Sequence, residues 1–263
     1  MAHPRFTVIT PSYNQGQFLE CAMCSVLDQG YPNLEYMVVD GGSWDESPRI
    51  IRHYAHRLAW TSIERDFGAA HAINKALRRA TGEFIAIVNS DDLLLAGALY
   101  DAVHYMNEAG VDWAAGNALR IDERDNMLGE LHASAPSSTA AFVMHDSGYL
   151  PSSATFYRRS LFERHGLFDA HLQRAYTFEF GCRLLLAGIK PHILSGYYAA
   201  RREHANNRSA VQAVEQGLEM VEASLRYAER LAPAQRLAAR VNCHQRRRIF
   251  TRAAAELAAR RAA

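Results

Sequence analysis

The sequence predicts an α/β protein in which a mostly parallel sheet carries helices on both faces and a helical extension follows. Three observations support this prediction. Strand-like and helix-like segments alternate over the first hundred residues, the strand-like segments end in polar or acidic residues, and the chain from Asn207 onward shows helical spacing alone. Alternation at this spacing is typical of right-handed crossovers between parallel strands.

The first half of the chain contains four predicted strands and four predicted helices. Apolar runs rich in β-branched and aromatic residues predict strands at residues 6–10, 34–40, 58–64 and 83–88. Apolar residues at helical spacing predict helices at residues 15–29, 46–57, 69–80 and 96–109. Because ligands bind beyond the carboxyl ends of parallel strands, the residues that follow each strand are candidate site residues.

The second half is less regular. Strands are predicted at residues 111–122, 154–159 and 192–202, and helices at residues 160–166 and 178–188. Residues 129–153, rich in Ser, Ala and Pro, are predicted to be a loop, either facing a substrate or forming a plain surface excursion. From Asn207 the chain is predicted to be helical with a break at Pro233. No domain boundary is expected before about residue 205.

Composition limits the classes of protein to which the chain can belong. With 263 residues, 49% of them hydrophobic, the chain is long enough for one large α/β domain with or without an appendage. The net charge of +1 conceals an asymmetry, because residues 226–263 contain ten arginines and two glutamates, a local charge of +8 that leaves −7 on the rest. No apolar stretch suits a membrane span and no leader pattern precedes the first strand. The four cysteines form no disulfide framework, so a reducing, cytoplasmic location is expected.

Several common functional motifs are absent from the sequence. There is no Walker A motif and no G-x-G-x-x-G, which argues against ATPases and dehydrogenases, and no G-x-S-x-G of the commonest serine hydrolases. Cys21 and Cys24 have metal-like spacing, but no second pair lies nearby and packing inside an amphipathic helix explains them better. No nucleic-acid partner is predicted.

The residues that follow the four strands are polar, small or acidic. They read "TPSYN" (10–14), "DGGSWDES" (40–47), "ERDFG" (64–68) and "NSDD" (89–92). Adjacent carboxylates such as Asp91 and Asp92 suit a hard cation, Mg²⁺ or Mn²⁺, that carries a phosphorylated ligand. The alternative is that Asp91 caps the following helix and Asp92 favours its dipole. Tyr13 could stack on a nucleobase, and an acid at Asp40, before two glycines, could accept from a base or a ribose.

Six segments in order resemble family 2 glycosyltransferases of the GT-A fold, over roughly residues 5 to 209. These are "TPSYNQGQFLE" (10–20), "SVLDQGYPNLEYMVVDGGSWDES" (25–47), "ERDFGAAHAINKAL" (64–77), "ATGEFIAIVNSDDLLLAGAL" (80–99), "SATFYRRSLFERHGLFD" (153–169) and "FEFGCRLLLAG" (178–188). The resemblance implies a Rossmann-like GT-A sheet and an inverting, hexosyltransferase-type reaction. In that reaction a sugar passes from a nucleotide-diphosphate donor, UDP- or another NDP-sugar, to a hydroxyl of a glycan or lipid-linked acceptor, with Mn²⁺ or Mg²⁺ as cofactor.

The resemblance also assigns roles to individual residues. Asp40 would hold the base, and Asp91 is the first choice for a direct metal ligand. The implied nucleotide-binding residues are Pro11, Tyr13, Asn14, Asp40, Gly41, Asp66, Asn74 and Asp91. The implied metal ligands are Asp91, Asp92 and His204. A solvated histidine after a strand is the alternative interpretation of His204.

The sequence departs from the family at the catalytic base. The family places an Asp just before a helix, and the matching position here is Thr177, which cannot act as a base near neutral pH. Three interpretations stay open: Glu179 serves as the base, the activity is weak or lost, or the alignment is shifted by a turn. The first is preferred because Glu179 is the only carboxylate in its segment. The second predicts a catalytically impaired nucleotide-sugar-binding protein. A nucleotidyltransferase is a weaker rival, because "TPSYNQGQ" lacks a Gly- and Arg-rich loop.

The predicted division of the chain follows from these motifs. Residues 1–205 would form the catalytic domain, with a nucleotide-sugar and metal half at 1–110 and an acceptor half at 111–205. Residues 206–263 would form a basic helical extension that docks on this domain, lies on an anionic membrane at its inner face, or makes an oligomer contact. Family habit places the product in a bacterial surface glycan, a cell-envelope polysaccharide.

Overall fold

The computed structural model describes residues 3–204 and 210–262, in which strands and helices alternate as far as the second half of the chain. The strands are β1 (Phe6–Ser12), β2 (Leu34–Asp40), β3 (Trp60–Ile63), β4 (Phe84–Ile87), β5 (Leu93–Leu94), β6 (Trp113–Ile121), β7 (Met127–Leu131), β8 (Thr155–Arg158) and β9 (His192–Arg202). The helices are α1 (Gly16–Leu27), α2 (Ser47–Tyr54), α3 (Ala69–Leu77), α4 (Ala98–Glu108), α5 (Thr139–Val143), α6 (Ser160–His165), α7 (Tyr176–Leu186), α8 (Ala210–Ala228) and α9 (Pro233–Ala262).

One sheet runs through the molecule in the order β3-β2-β1-β4-β8-β6-β9-β5, with β7 paired to β6. The four strands β3, β2, β1 and β4 are parallel. All seven residues of β1 are buried, as expected for a strand covered on both faces. Because Ser12 pairs with Asp40 at the ends of β1 and β2, the segments that follow these strands emerge side by side.

The rest of the sheet is mixed. β8 is antiparallel to both β4 and β6, whereas β6 and β9 are parallel. The short strand β5, just after the two adjacent aspartates, pairs antiparallel with β9, where Leu93 faces Ala200. This pairing brings the end of β9 beside the end of β4, although more than a hundred residues separate them in sequence.

Two hydrophobic cores lie on opposite faces of the sheet. Phe6 and Val8 of β1 pack into one core together with residues of α1 and α4. Ile9 packs into the other core with residues of α3 and α7. Successive residues of a strand point to opposite faces, so one apolar run supplies both cores.

Two predictions about the second half need correction. Residues 129–153, predicted to be a loop, overlap β7 and contain α5, because β7 is held by pairing with β6 rather than by its own sequence pattern. The helix predicted at residues 178–188 begins at Tyr176, so Thr177 lies inside its first turn and not before it.

The C-terminal helices α8 and α9 pack against each other and on the sheet domain. Tyr227, Ala228 and Leu231 belong to the core that includes Phe180 of α7. Gly217 lies against Phe250, where an added Cβ atom would be 2.3 Å from the ring. α9 begins at Pro233, a residue favoured in the first helical turn. The boundary predicted between residues 205 and 206 lies outside the described residues. None of the helices within the described ranges has the length and apolar character needed to cross a bilayer.

Candidate active site

The carboxyl ends of the parallel strands border a cleft with two adjoining cavities. The first cavity, about 580 Å³, is lined by Pro11, Tyr13, Gly41, Arg65 and Asp66 among others. The second cavity, about 480 Å³, is lined by Tyr149, Ser153, Tyr176, Thr177 and Arg201 among others. Four residues line both: Asn89, Asp91, Gln173 and Arg174. The cleft therefore has two compartments that meet at the end of β4.

Five of the eight residues predicted to bind a nucleotide line the first cavity. They are Pro11, Tyr13, Gly41, Asp66 and Asp91. The side chain of Tyr13 is 59% exposed, so its ring is accessible for stacking. At Gly41 an added Cβ atom would lie 2.9 Å from a carboxylate oxygen of Asp66, so a larger residue here would displace the Asp66 side chain.

The other three predicted nucleotide-binding residues support the cavity wall. Asp40 is buried and accepts hydrogen bonds from the backbone N–H groups of Gly42 (3.1 Å) and Ser43 (2.8 Å). Asn14, with φ 51°, accepts one from the backbone N–H of Trp44 at 3.1 Å. Asn74 is buried and hydrogen-bonds both backbone groups of Phe168. These contacts fix the loops that shape the first cavity, and direct contact of the three residues with a nucleotide stays a prediction.

Asp91, which lines both cavities, is brought together with the buried His204. An Asp91 carboxylate oxygen lies 3.1 Å from Nε2 of His204. The histidine is 3% exposed, and its ring packs on Phe18 with 4.9 Å between ring centroids. It is therefore not the solvated histidine that the sequence left as an alternative. The pairing of β5 with β9 explains why these two residues, distant in sequence, are neighbours.

Asp92 faces the interior. Its carboxylate accepts hydrogen bonds from the Ser153 hydroxyl, from Nδ2 of Asn89 (3.0 Å) and from the backbone N–H of Arg202 (3.1 Å). Burial, and to a smaller extent the neighbouring charge of Asp91, raise the pKa of Asp92 to about 6. Neither aspartate caps a helix, because α4 begins only at Ala98 after Gly97, so the capping alternative was wrong.

The fit of a divalent cation can be judged from these contacts. Within residues 3–204 and 210–262, no three His, Cys, Asp or Glu side chains are placed to hold a metal ion together. Asp91 and His204 form a two-residue set, while Asp92 is engaged elsewhere. Mg²⁺ and Mn²⁺ in phosphate chemistry usually take one or two protein ligands and complete the shell with phosphate oxygens and water. The pair fits such an ion better than the predicted set of three.

Thr177 and Glu179 both lie in the first turn of α7, but their side chains have different environments. Thr177 lines the second cavity. Glu179 is 2% exposed and accepts hydrogen bonds from Nη2 of Arg183, at 2.8 Å, and from the hydroxyl of Tyr227. Burial and the Glu179 carboxylate raise the pKa of Tyr227 to about 12, which keeps this hydroxyl a donor. The position of Glu179 gives no support to its predicted role as the base.

Residues that the sequence did not single out complete the cleft. Gln173 and Arg174 line both cavities, and Gln212 and Gln216 of α8 line the second. The loop before α7 is held by Glu219 of α8, whose carboxylate accepts the backbone N–H groups of Gln173 (3.0 Å), Arg174 (2.8 Å) and Ala175 (2.9 Å). The sequence pattern of these residues does not indicate that they border a cleft. They are brought together only when α8 packs against the loop before α7.

A family model and several known proteins match this chain. The family model described as glycosyl transferase family 2 matches residues 7–166. WfgD of Escherichia coli, named a UDP-Glc:alpha-D-GlcNAc-diphosphoundecaprenol beta-1,3-glucosyltransferase, is 34% identical over 128 residues, which are 48% of this chain and 50% of WfgD. TarS of Staphylococcus aureus, named a poly(ribitol-phosphate) beta-N-acetylglucosaminyltransferase, is 27% identical over 215 residues, which are 78% of this chain and 37% of TarS. The chain thus matches half or less of the length of either relative.

Solved structures share the fold. The crystal structure of S. aureus TarS 1–349 in complex with UDP-GlcNAc superimposes with a TM-score of 0.71 at 21% identity, covering 92% of this chain and 72% of that one. The mannosyltransferase PcManGT from Pyrobaculum calidifontis, in complex with GDP-Man and Mn²⁺, gives a TM-score of 0.68 at 23% identity, covering 98% and 76%. This likeness confirms the predicted GT-A type α/β fold with its helical C-terminal region.

Proposed function

The chain belongs to glycosyl transferase family 2, and from this premise we propose that it moves a sugar, with inversion, from a nucleoside-diphosphate donor to a hydroxyl acceptor. The observation that carries the proposal is Asp91, which lines both cavities and contacts the buried His204. It lies where a diphosphate would have to sit if the nucleoside occupied the first cavity and the sugar entered the second. UDP-GlcNAc in TarS and GDP-Man in PcManGT support the choice of donor class.

The first cavity suits the nucleoside. Tyr13 offers an exposed ring for stacking, and Asp66 offers a carboxylate for base or ribose donors. Gly41 lines this cavity without a side chain, which allows a ligand to approach its backbone closely. Gln173 and Arg174 border both cavities, so they are placed to orient the part of the donor that passes from one cavity to the other.

The junction of the cavities suits the leaving group. Breaking the glycosidic bond leaves negative charge on the terminal phosphate oxygen, and positive groups fixed near that oxygen lower the barrier. Asp91 and His204 would hold Mn²⁺ or Mg²⁺, which when bound would stabilise that charge. The Mn²⁺ in the PcManGT complex supports divalent metal use. Arg174, which lines both cavities, adds a positive charge from the chain itself.

The acceptor hydroxyl would be deprotonated in the second cavity. In the described part of the chain, the carboxylates lining this cavity are Asp91 and Asp92, and Thr177 occupies the position of the family's base. This observation favours a second candidate function, a nucleotide-sugar-binding protein whose catalysis is impaired. Losing a general base typically costs about 10²- to 10⁴-fold, so slow transfer remains compatible with the same cleft.

The relatives support a proposal for the acceptor and the cellular context. Both named relatives act on acceptors that carry phosphate, a diphosphoundecaprenol-linked sugar for WfgD and poly(ribitol-phosphate) for TarS. We infer a glycan or lipid-linked acceptor of a bacterial envelope polysaccharide. The four cysteines are free thiols, which supports a reducing cytoplasmic compartment.

Metal-dependent binding of a nucleoside diphosphate tests the proposal. We expect UDP or GDP with Mn²⁺ to raise the melting temperature and to bind in calorimetry, because a ligand that binds only the folded state stabilises it. Asp91→Asn should lower this affinity by about 100-fold or more, because it removes a ligand oxygen and a charge opposing the cation. Asp101→Asn, on an exposed position of α4, is the matched control and should bind normally. Equal affinity of Asp91→Asn and wild type in Mn²⁺ would refute the metal site.

A further inference from the structure

We propose that the second cavity binds an anionic group of the acceptor, a phosphodiester or a sugar carboxylate, through Arg201 with Arg174 beside it. The inference rests on the proposed function, because it names the acceptor class of the same cleft. It is carried by the placement of Arg201, by the weak engagement of Arg174, and by the distribution of carboxylates around the cavity.

Arg201 is an exposed guanidinium that lines the second cavity. On β9 it alternates with Arg202, which is 2% exposed and binds the backbone oxygens of Asp91 (3.1 Å) and Asp122 (2.9 Å). Arg202 is thus a structural residue, whereas the side chain of Arg201 makes no hydrogen bond or ion pair with the residues that the structure describes. The neighbouring segment 205–209, "ANNRS", contains no carboxylate in its sequence.

Arg174 contributes a second guanidinium to the lining of this cavity. Its Nε contacts a carboxylate oxygen of Glu215 at 3.3 Å, in an ion pair whose side chains are 34% and 53% exposed. Exposed pairs of this kind contribute little, so Arg174 can exchange this partner for an anion at small cost. Its backbone is fixed by Glu219, which keeps the guanidinium at the edge of the cavity.

Apart from the exposed Glu215 contact of Arg174, the carboxylates described around the second cavity are engaged with other groups. Asp92 is 3% exposed and hydrogen-bonded, and Asp91 lies at the junction beside His204. Glu179 is directed into the interior, and Thr177 is neutral where the family has an acid. An acid at position 177 would repel an anionic acceptor, whereas the neutral threonine does not oppose the attraction exerted by the two arginines.

The donor diphosphate does not account for Arg201. Arg201 lines the second cavity and not the first. In the proposed function the nucleoside lies in the first cavity and the diphosphate lies at Asp91, between the two cavities. A planar guanidinium matches phosphate or carboxylate oxygens with two parallel hydrogen bonds. An acceptor that carries such a group is therefore the ligand that this side of the cleft is built to hold.

Calorimetry on the full chain with UDP and Mn²⁺ present can test the inference with three probes. The probes are a poly(glycerol phosphate) oligomer, an oligogalacturonate of similar length, and a neutral dextran oligomer. We expect at least one anionic probe to bind more tightly than dextran, and Arg201→Gln to weaken that binding by about 10-fold or more. The two anionic probes decide between phosphodiester and carboxylate. Arg52→Gln, an exposed arginine on α2 outside both cavities, is the matched control.

Three results would overturn the inference. Dextran could bind as tightly as both anionic probes, Arg201→Gln could leave anionic binding unchanged, or the variant could lose UDP affinity instead, which would assign the guanidinium to the donor. Failure of the proposed function looks different. In that case the wild-type protein would not bind UDP or GDP with Mn²⁺, while Arg201-dependent binding of an anionic probe could still be measured without nucleotide.

Discussion

The adjacent carboxylates at the end of β4 have different environments although one peptide bond separates them. Asp91 faces the cleft and contacts His204, while Asp92 accepts three hydrogen bonds inside the protein. The difference arises because the chain leaves β4 at Ile87 and returns at once as β5 on the edge of β9. Burial therefore raises the pKa of Asp92, and Asp91 is the carboxylate of this pair that lines both cavities.

Two substitutions distinguish the catalytic roles of Glu179 and Thr177. Glu179→Gln removes a charge from a buried contact with Arg183 and Tyr227, so we expect it to lower the free energy of unfolding by about 1–3 kcal/mol. Donor hydrolysis by the folded variant should stay within about threefold of wild type. Thr177→Asp should raise donor hydrolysis by about 10-fold or more, because it supplies a base at the family's position.

The measurements are thermal unfolding and release of nucleoside diphosphate from the donor, with water as the acceptor. Water avoids the repulsion that a new carboxylate would exert on an anionic acceptor. Thr139→Ser, a conservative change outside both cavities on α5, serves as the control for handling and folding. A folded Glu179→Gln enzyme that loses about 100-fold in hydrolysis would restore Glu179 as the base.

At the scale of elements, the sequence predicts best what is fixed by local pattern. The bounds predicted for β2 and β9 match the structure, and six of the seven residues of β2 are buried. The elements that escaped prediction depend on distant partners. β7 exposes Met127 and Leu128 and is held by β6, and β5 has only two residues and is held by β9. For the same reason, the residues of the first cavity that follow strands could be predicted from the sequence. Gln173 and Arg174, which also line this cavity, could not.

The loop before α7 is positioned by Glu219 on another helix. Because its carboxylate accepts three consecutive backbone N–H groups, Glu219→Ala should loosen the segment that carries Gln173 and Arg174. We expect the KM for the donor to rise about 5- to 30-fold with a smaller change in kcat, since the lost contact positions the donor rather than the reacting atoms. Steady-state kinetics over a range of donor concentrations measure this split.

Two further variants give the Glu219 result its meaning. Glu222→Ala removes an exposed carboxylate from the same helix and should leave both kinetic constants unchanged. Glu219→Asp keeps the charge and should recover part of the loss in KM. If Glu219→Ala lowers the melting temperature but not the donor affinity, the residue stabilises the fold without positioning the loop.

At the scale of the whole molecule, the C-terminal helices belong to the folded unit. α8 supplies Gln212 and Gln216 to the second cavity and Tyr227 to the core beneath α7. α9 lies farther out, with Ala239 and Cys243 buried against its neighbours. The basic charge of the tail is thus spread along a helix that borders an otherwise acidic protein. Its outward face mixes arginines with a few apolar side chains, Leu237, Val241 and Ile249.

Truncation separates the roles of the two helices. A chain that ends at Ala232 lacks α9 but keeps α8, so we expect the affinity for UDP with Mn²⁺ to stay within about threefold of wild type, because no residue of α9 lines either cavity in the described part of the chain. Stability should fall by about 2 kcal/mol or more, because Tyr227, Leu231 and Gly217 lose the cover that α9 provides. Calorimetry and thermal unfolding give the two quantities separately.

The full-length variant Gly217→Val is the matched control, since its side chain would push Phe250 and α9 away without shortening the chain. A folded truncation that loses more than about 10-fold in nucleotide affinity would show that α9 closes over the cleft.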